Sequence, residues 1–307
     1  MRNDDDPSAA TSVGYLERVN MAIDHVVNHL DGSLRLEDVA QAAAFSPFHF
    51  HRIFRAIMGE TLHHFVKRLR VERALKFMTH TPERSLTDIA LACGFASSSD
   101  FSRAFKQRYG VPPSLFDVNT WRAQGRGQLE QIVELSSDHQ HLQRLPAGEN
   151  PDGFDVVLRQ LPPRTVAYIR VLQPYRPDVV HDAASRLMQW ATARGQADGQ
   201  WLGYMWDDPE VTALEDCRYD MGVVVDDVLP DGEIGRYEFP AMTVAQVSMR
   251  GDVELELRIL QWLFGTWLPA SGLQPDEQPC FESFLGKPFA HGTEHFELDV
   301  QLPVRRA

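Results

Sequence analysis

Apolar residues in the first part of the chain recur at the three- and four-residue spacing of helices. In Tyr15–Leu30 they fall on one side of a predicted helix. The same spacing predicts a short helix over Leu36–Ala43 and a longer one over Thr61–Thr79. We therefore predict an all-α domain over residues 13–126, preceded by a disordered tail over residues 1–12.

One pattern in this part occurs twice, about fifty residues apart. Two short helices flank a tight turn in each copy, which is typical of helix-turn-helix units. The units are predicted at residues 36–59 and 86–110, with the helix at 61–79 between them. The recurring pairs are Leu36/Leu86, Ala40/Ala90, Phe45/Phe95, Phe50/Phe101, Arg52/Arg103, Phe54/Phe105 and Gly59/Gly110.

Two such units on one chain favour a protein that reads two adjacent major-groove segments of double-stranded DNA. The helix between them spans about 28 Å, close to the repeat of about 34 Å between major-groove faces one turn apart. Its outward side carries basic residues, and we predict that Lys67 and Arg68 contact phosphate. A helical bundle that binds another protein is the alternative, which the second copy and the basic helix disfavour.

The second half of the chain shows the alternation of strands. Residues 153–307 are predicted as an α+β domain, because two stretches of about 77 residues align with each other as strand, helix, strand, strand. The halves would form one sheet around a cleft suited to a ligand. Predicted strands are 164–172, 218–225, 242–249 and 295–302, and predicted helices are 179–194 and 254–270. Residues 127–152, rich in Gly, Ser and Pro, are predicted as a linker.

Charge is divided unevenly between the two parts. The 307-residue chain has a net charge of −13, which by itself argues against nucleic acid. Residues 47–126 nevertheless carry +7, whereas residues 127–307 carry −15. This division fits two modules with different partners, of which only the first can meet phosphate.

Composition excludes several other classes of protein. No apolar run approaches the about 20 residues of a membrane span, and the acidic start is unlike a secretory signal. We therefore expect a cytoplasmic protein that does not bind a membrane. The three cysteines have no C-x-x-C spacing and are expected to be reduced thiols. No metal site and no cofactor are predicted.

A motif in the second unit identifies a family. It reads Ile89-Ala-x-x-x-Gly-Phe, then Phe101-x-Arg-x-Phe-Lys106, then Gly110-x-x-Pro-Ser. This motif, within residues ~14–124, resembles the DNA-binding domain of the AraC/XylS family of bacterial transcription regulators. The resemblance implies that outward residues of both recognition helices read bases. On this chain the implied DNA-binding residues are Phe48, His51, Arg52, Ser99, Asp100 and Arg103, with Lys106 beside them.

Two of these residue types have a clear chemical meaning. Arginine pairs with guanine O6 and N7 through its forked guanidinium. Asp100 departs from the uncharged polar residue often found at its position. A carboxylate there accepts from cytosine N4 but repels phosphate.

The duplicated second domain, over residues ~153–305, contains the segment Pro279-Cys-Phe-Glu-Ser-Phe284. It resembles the GyrI-like effector-binding domain, which is often fused to AraC-type readers. The resemblance implies a small hydrophobic or cationic effector, held by Glu282 in the cleft. A buried carboxylate beside aromatic rings favours a cation. The candidate aromatic wall consists of Tyr168, Tyr204, Trp206, Trp262 and Phe284.

The sequence thus predicts a regulator, not an enzyme, whose partners are promoter DNA, a small-molecule effector and RNA polymerase. Two alternatives stay open for the second domain. One is a hydrolase of reactive small molecules that uses Glu282 as general base. The other is an inhibitor module that binds a protein. The effector, the operator, the direction of regulation and the oligomeric state are open.

Overall fold

In the computed structural model the chain forms two units. The first ends at Thr120 and includes Pro230–Gly235, and the second contains Trp121–Leu229 and continues from Arg236. None of the helices in the described part is long and apolar enough to cross a membrane. The structure describes residues 7–81, 83–136 and 148–306.

In the described part of the chain, the first unit contains six α-helices. The predicted all-α architecture is confirmed, but the predicted tail is wrong in part, because a helix already begins at Pro7. Residues 1–6 lie outside the described part of the chain. The helices are α1 (Pro7–Asn28), α2 (Leu36–Ala42), α3 (Pro47–Met58), α4 (Leu62–His80), α5 (Leu86–Ala92) and α6 (Ser98–Tyr109).

The two recognition helices, α3 and α6, begin and end in the same way. Ser46 and Ser97 precede them, and each side chain accepts a backbone N–H three residues later. Such caps satisfy N–H groups that have no partner inside the helix. Gly59 and Gly110 follow the helices in the left-handed conformation, with φ of 75° and 80°. Glycine takes this conformation without steric cost, so each recognition helix has a fixed length.

Repeated aromatic residues fill the core of each copy. Phe50 and Phe54 are fully buried, and the Phe54 ring lies 5.5 Å from Phe65 of α4. Phe101 and Phe105 are fully buried in the second copy, with their ring centroids 5.6 Å apart. The recurring phenylalanines are therefore core residues, and they hold each recognition helix against its unit.

The tight turn between the helices differs between the copies. Ala44 occupies the first turn with φ of 53°, and Gly94 occupies the second with φ of 81°. A Cβ atom on Gly94 would lie 2.5 Å from the carbonyl oxygen of Leu30 and 2.9 Å from the Arg70 guanidinium. Arg70 is fixed there, because it donates to the carbonyl oxygens of Leu30 and Gly32. Only the second turn therefore requires glycine.

We expect Gly94→Ala to lower the free energy of unfolding by about 2 kcal/mol or more, since left-handed backbone and steric overlap both oppose it. Ala44→Gly is the matched control, and it should change stability by less than about 1 kcal/mol. Urea denaturation of the full chain measures both values. Equal effects at the two positions would contradict the conclusion that only the second turn requires glycine.

A long helix, α7 (Val118–Ser136), lies mostly in the second unit, which begins at Trp121. The sequence predicted a linker from residue 127, and that boundary is wrong because helix α7 runs on through Gly125 and Gly127. Residues 137–147 of the predicted linker lie outside the described part of the chain. The segment that leaves the first unit is therefore helical up to Ser136.

The rest of the second unit is a nine-stranded antiparallel sheet with helices. All four predicted strands and both predicted helices are present, whereas the sequence did not resolve the other strands separately. The predicted helix at 254–270 is interrupted over Leu263–Trp267 by a wider turn, just before Pro269. Proline there lacks the N–H that a continuous helix uses. The elements are β1 (Val157–Leu161), β2 (Arg164–Leu172), α8 (Val179–Ala193), β3 (Trp201–Met205), β4 (Arg218–Val225), β5 (Ile234–Phe239), β6 (Met242–Gly251), α9 (Val253–Trp262), α10 (Leu268–Ser271), β7 (Leu273–Pro275), β8 (Cys280–Phe284) and β9 (Phe296–Arg306).

The sheet is symmetric about its centre. Its order is β1-β6-β9-β8-β3-β4-β2-β5, with β7 beside β9. Each half gives its first strand to the other half, because β1 pairs with β6 and β5 with β2. The registers relate β4 to β9 by 79 residues, since Thr165 opposes Val225 and Thr243 opposes Val304. The predicted offset of about 77 is therefore short by two, which leaves side chains on the same face.

Candidate DNA-reading surface and effector site

The predicted base-reading residues lie on the outer sides of the recognition helices. Phe48 is 68% exposed on α3, and the Arg103 side chain is 78% exposed on α6. The carboxylate of Asp100 is partly exposed and lies 3.8 Å from the guanidinium of Arg103. In the protein alone, Asp100 therefore has a cationic neighbour on its own helix. The remaining predicted residues of this surface, all exposed, are His51, Arg52, Ser99 and Lys106.

Arg68 does not belong to this surface. Its side chain is 8% exposed, and its guanidinium lies 2.7 Å from Glu60 and 3.4 Å from Glu72. The guanidinium also lies 5.3 Å from the ring centroid of Phe65. The predicted phosphate contact fails here because Glu60, just before α4, and Glu72, one turn further along α4, hold the cation inside the unit. Lys67, the other predicted phosphate contact on α4, is half-buried.

Glu282 lies at the centre of the sheet of the second unit. Strands β3 and β8 pair there, and Gly203 is directly opposite Glu282. Side chains alternate between the faces of a strand, so Phe284 shares the face of Glu282, whereas Phe281 lies on the other face. The sheet register therefore decides which of the predicted aromatic residues surround the carboxyl.

Three of the predicted wall residues lie on the wrong face. Tyr204 follows Gly203 in β3 and packs against Phe281, with ring centroids 5.7 Å apart. Tyr168 and Trp206 belong to the same core cluster. Phe239 of β5 also reaches Phe281, at 4.9 Å, although three strands separate β5 from β8. The sheet is therefore strongly curved, and its concave face is filled with aromatic core.

The concave face already holds a cation of the protein itself. The guanidinium of Arg164 lies 4.8 Å from the ring centroid of Phe281. Burial lowers the pKa of this guanidinium to about 10. The rings beside this cation are those of Phe281 and Phe239, which the sequence did not predict, and they face Arg164 instead of Glu282.

On the other face, Glu282 meets two residues that the sequence analysis missed. The Tyr219 hydroxyl of β4 donates to Glu282 Oε2 at 2.6 Å. Glu256 of α9 is 9% exposed, and the neighbouring Glu282 raises the pKa of its carboxyl. Gly203 makes the arrangement possible, since a Cβ atom there would overlap the Tyr219 hydroxyl. Gly203 pairs with Met221 of β4, and Tyr219 lies two residues before Met221, on the same face of the sheet. The alternation of side chains along β4 is therefore the sequence signal that points to Tyr219.

Burial controls the acid–base behaviour of this cluster. It raises the pKa of both the Glu256 and the Glu282 carboxyls, and for Glu256 the neighbouring Glu282 raises the pKa further. The hydrogen bond from Tyr219 acts in the opposite direction on Glu282. Burial also raises the pKa of the Tyr219 hydroxyl well above its usual value. The raised pKa values favour the neutral, protonated form of the two carboxyls.

Other buried acids near this cluster have cationic partners. Asp207 binds Arg218 and Asp220 binds Arg170, each at 2.7 Å. Within the described ranges, no cationic side chain forms an ion pair with Glu256 or Glu282. The site consequently has an excess of acid that its own arginines do not compensate.

Trp262 keeps its place among the candidate wall residues. It lies on α9, the helix of Glu256, and its ring is 5.6 Å from Phe154. Its indole N–H is buried without a hydrogen-bond partner in the described part of the chain. Phe284 is buried two residues after Glu282 in β8. These two aromatics remain predictions for effector binding.

The fold defines a class of two-module proteins, in which a double helix-turn-helix domain precedes a duplicated α+β domain with a half-buried glutamate at the centre of its sheet. A helix-turn-helix domain model matches residues 39–117. A model described as a GyrI-like small molecule binding domain matches residues 154–305. The chain belongs to the AraC-type helix-turn-helix family and carries a GyrI-like domain.

Three relatives each match part of the chain. The HTH-type transcriptional activator AarP of Providencia stuartii is 34% identical over 31% of this chain and 69% of its own length. The DNA gyrase inhibitor of Serratia proteamaculans is 32% identical over 46% of this chain and 92% of its own length. The uncharacterized HTH-type transcriptional regulator YbfP of Bacillus subtilis is 33% identical over 33% of this chain. The chain spans only 34% of the length of YbfP.

Because their pKa values are raised, the carboxyls of Glu256 and Glu282 lower the free energy of unfolding by an amount that depends on pH. Below about pH 4.5 both folded and unfolded glutamates are protonated, and no cost arises. As pH rises, the unfolded chain ionises first, so the folded protein loses stability until its own carboxyls ionise. Glu256→Gln should therefore raise Tm near pH 8, by about 2–4 °C for each kcal/mol relieved, and change it little near pH 4.

Thermal unfolding across this pH range measures the effect, with Glu254→Gln on the same helix as the control. A gain in Tm that is equal at all pH values would show that ionisation of the pair is not its cause.

Proposed function

We propose that the protein is a one-component transcription regulator. The first unit binds promoter DNA, and the second unit binds a small molecule that changes this binding. The observation that best supports this proposal is the repeated helix-turn-helix unit, whose two exposed recognition helices, α3 and α6, are joined by the 19-residue helix α4. A helix of this length separates two readers by about one turn of the duplex. Contact with RNA polymerase is part of this proposal.

Base reading rests on residues at equivalent places in the two units. Arg52 and Arg103 are both exposed, one on each recognition helix. Each guanidinium can pair with the O6 and N7 atoms of a guanine. Because the residues around the two arginines differ, the two units should read different sequences, and the operator should be asymmetric.

The effector we propose is a lipophilic cation. Glu282 is half-buried and lacks an ion pair with any described cationic side chain, so a positive ligand can neutralise it. Trp262 on α9 and Phe284 on β8, the strand of Glu282, supply apolar surface. The charge of −15 over residues 127–307 adds attraction for cations.

Helix α7 is the element that we propose carries the signal. Its Arg122 binds Asp208 at 2.8 Å and Glu210 at 2.9 Å, and Arg126 binds Glu210 at 2.7 Å. Gly125 packs directly on the backbone of Glu210. These acids lie in the loop from β3 to β4, the strands that contain Gly203 and Tyr219. An effector that shifts this hairpin would shift α7, which follows the reader directly in the chain.

Selection of bound sequences from random duplexes, with the purified full chain at physiological salt, tests the DNA-binding function. The proposal predicts one enriched site with two informative blocks about a helical turn apart. Enrichment of a single block would contradict the two-reader arrangement.

Arg103→Ala should weaken binding to the selected site by about 1–3 kcal/mol and relax the preference at one base pair. Binding to unrelated DNA should change little, because the side chain reads a base. Competition binding measures both affinities. Lys67→Ala is the comparison, and it should weaken all DNA about equally and reduce the salt slope by about 1. An unchanged base preference would remove Arg103 from the reading set.

Removing both anchors of α7, with Arg122→Ala and Arg126→Ala together, should increase amide hydrogen exchange along residues 121–136 without unfolding the sheet. The reason is that three ion pairs at 2.7–2.9 Å fix this helix to the β3–β4 loop. Arg305→Ala, at the exposed end of β9, is the control. Exchange that stays slow in the double variant would mean that the ion pairs do not hold the helix.

A further inference from the structure

Arg164, the first residue of β2, forms no ion pair with any acidic side chain in the described part of the chain. Its guanidinium lies 4.8 Å from the ring centroid of Phe281 and 5.9 Å from that of Phe239. Its Nε and Nη2 atoms are buried and have no hydrogen-bond partner among the described residues. A ring face stabilises the positive charge, but it does not replace an oxygen atom as the acceptor of these N–H groups. Buried polar groups without a partner are rare in folded proteins and point to a missing ligand or ion.

Two other arginines of the same unit show what this edge of a guanidinium binds. Arg170 donates from Nε and Nη2 to the two carboxylate oxygens of Asp220, at 2.9 and 2.7 Å. Arg218 donates from the same two atoms to the carboxylate of Asp207, also at 2.9 and 2.7 Å. A planar carboxylate matches the two parallel N–H groups of this edge. Arg164 has the same edge without the carboxylate.

The duplication of the second unit shows that packing does not require an arginine at this place. Thr165 and Thr243 occupy equivalent positions in the two halves, so Arg164 corresponds to Met242. Met242 is 5% exposed and belongs to the core cluster of the concave face. The fold therefore accepts an apolar side chain here. An unpartnered cation lowers stability at such a place, and local costs of this kind are typical of functional sites.

We propose that the Nε–Nη2 edge of Arg164 binds the carboxylate of a small organic acid, whose apolar body lies against the aromatic rings of the concave face. The site lies on the opposite face of the sheet from Glu282 and is independent of the cationic effector proposed above. Arg164 follows the exposed residues Pro162 and Pro163, so the acid approaches at this end of β2. Because both nitrogens are buried in the free protein, binding requires a side-chain movement at the rim of the cluster, where Leu161 is only half-buried.

Calorimetric titration of the full chain with 3-phenylpropionate tests the inference, and 3-phenylpropanamide is the neutral comparison. Arg164→Met removes the guanidinium and supplies the side chain that the other half has at the equivalent position. Arg250→Met is the matched control, because the Arg250 side chain is 71% exposed at the far end of β6 from Met242. Thermal unfolding of the same variants and titration with tetraphenylphosphonium, a lipophilic cation, give two further readouts.

We expect Arg164→Met to weaken the binding of 3-phenylpropionate at least about tenfold, because two charge-assisted hydrogen bonds are lost. Arg250→Met should leave this affinity unchanged, and the neutral amide should bind the wild type and Arg164→Met equally. Without ligand, Arg164→Met should raise Tm by about 2 °C or more, since it removes an unpartnered cation from the core. The affinity for tetraphenylphosphonium should be the same in all three proteins.

Equal affinity of the wild type and Arg164→Met for 3-phenylpropionate would overturn the inference, as would the absence of binding to the wild type. A lower Tm of Arg164→Met would also overturn it, because the arginine would then serve the fold. Loss of tetraphenylphosphonium binding in Arg164→Met would contradict the independence of the two sites. Failure of tetraphenylphosphonium to bind the wild type would contradict only the cationic effector, since the carboxylate titration does not depend on it.

Discussion

The pairing of β3 with β8 is the contact on which the second unit depends. It joins the two halves of the sheet, and each half also gives one strand to the other. Gly203 and Glu282 oppose each other at this central pair. Because Gly203 has no side chain, the space above it in the first half of the sheet is open. The Glu282 carboxyl of the second half and the Tyr219 hydroxyl fill this space. An internal duplication thus produces an asymmetric site.

The β3–β4 hairpin links the surroundings of the Glu282 carboxyl to helix α7. The β3–β4 hairpin includes Gly203 in one strand, Tyr219 in the other, and the anchors of α7 in its loop. Buried arginine–aspartate pairs fix the loop end of this hairpin, since Asp207 holds Arg218 and Asp220 holds Arg170 of β2. Buried ion pairs add little net stability but define one geometry. In the proposed regulator, a ligand at Glu282 would therefore act on a hairpin that has few alternative arrangements.

The sequence was sufficient for features that depend on local periodicity. The repeated phenylalanines predicted both helix-turn-helix units, and alternation predicted β2 and β4 with the observed bounds. It was insufficient wherever the outcome depends on residues far apart in the chain. Tyr204 lies on the face opposite Glu282 because of strand register, and Arg68 is internal because Glu60 and Glu72 hold it. Glu256 gave no sequence signal, since only the packing of α9 brings it to Glu282.

The central claim is that the second unit controls the DNA affinity of the first. Fluorescence anisotropy of a labelled duplex that carries the selected site measures this directly, with and without saturating tetraphenylphosphonium. The account predicts that the cation changes the affinity at least about fivefold, the lower end of ordinary allosteric coupling, and that Glu282→Gln abolishes the change. The same affinity with and without bound cation would contradict the account.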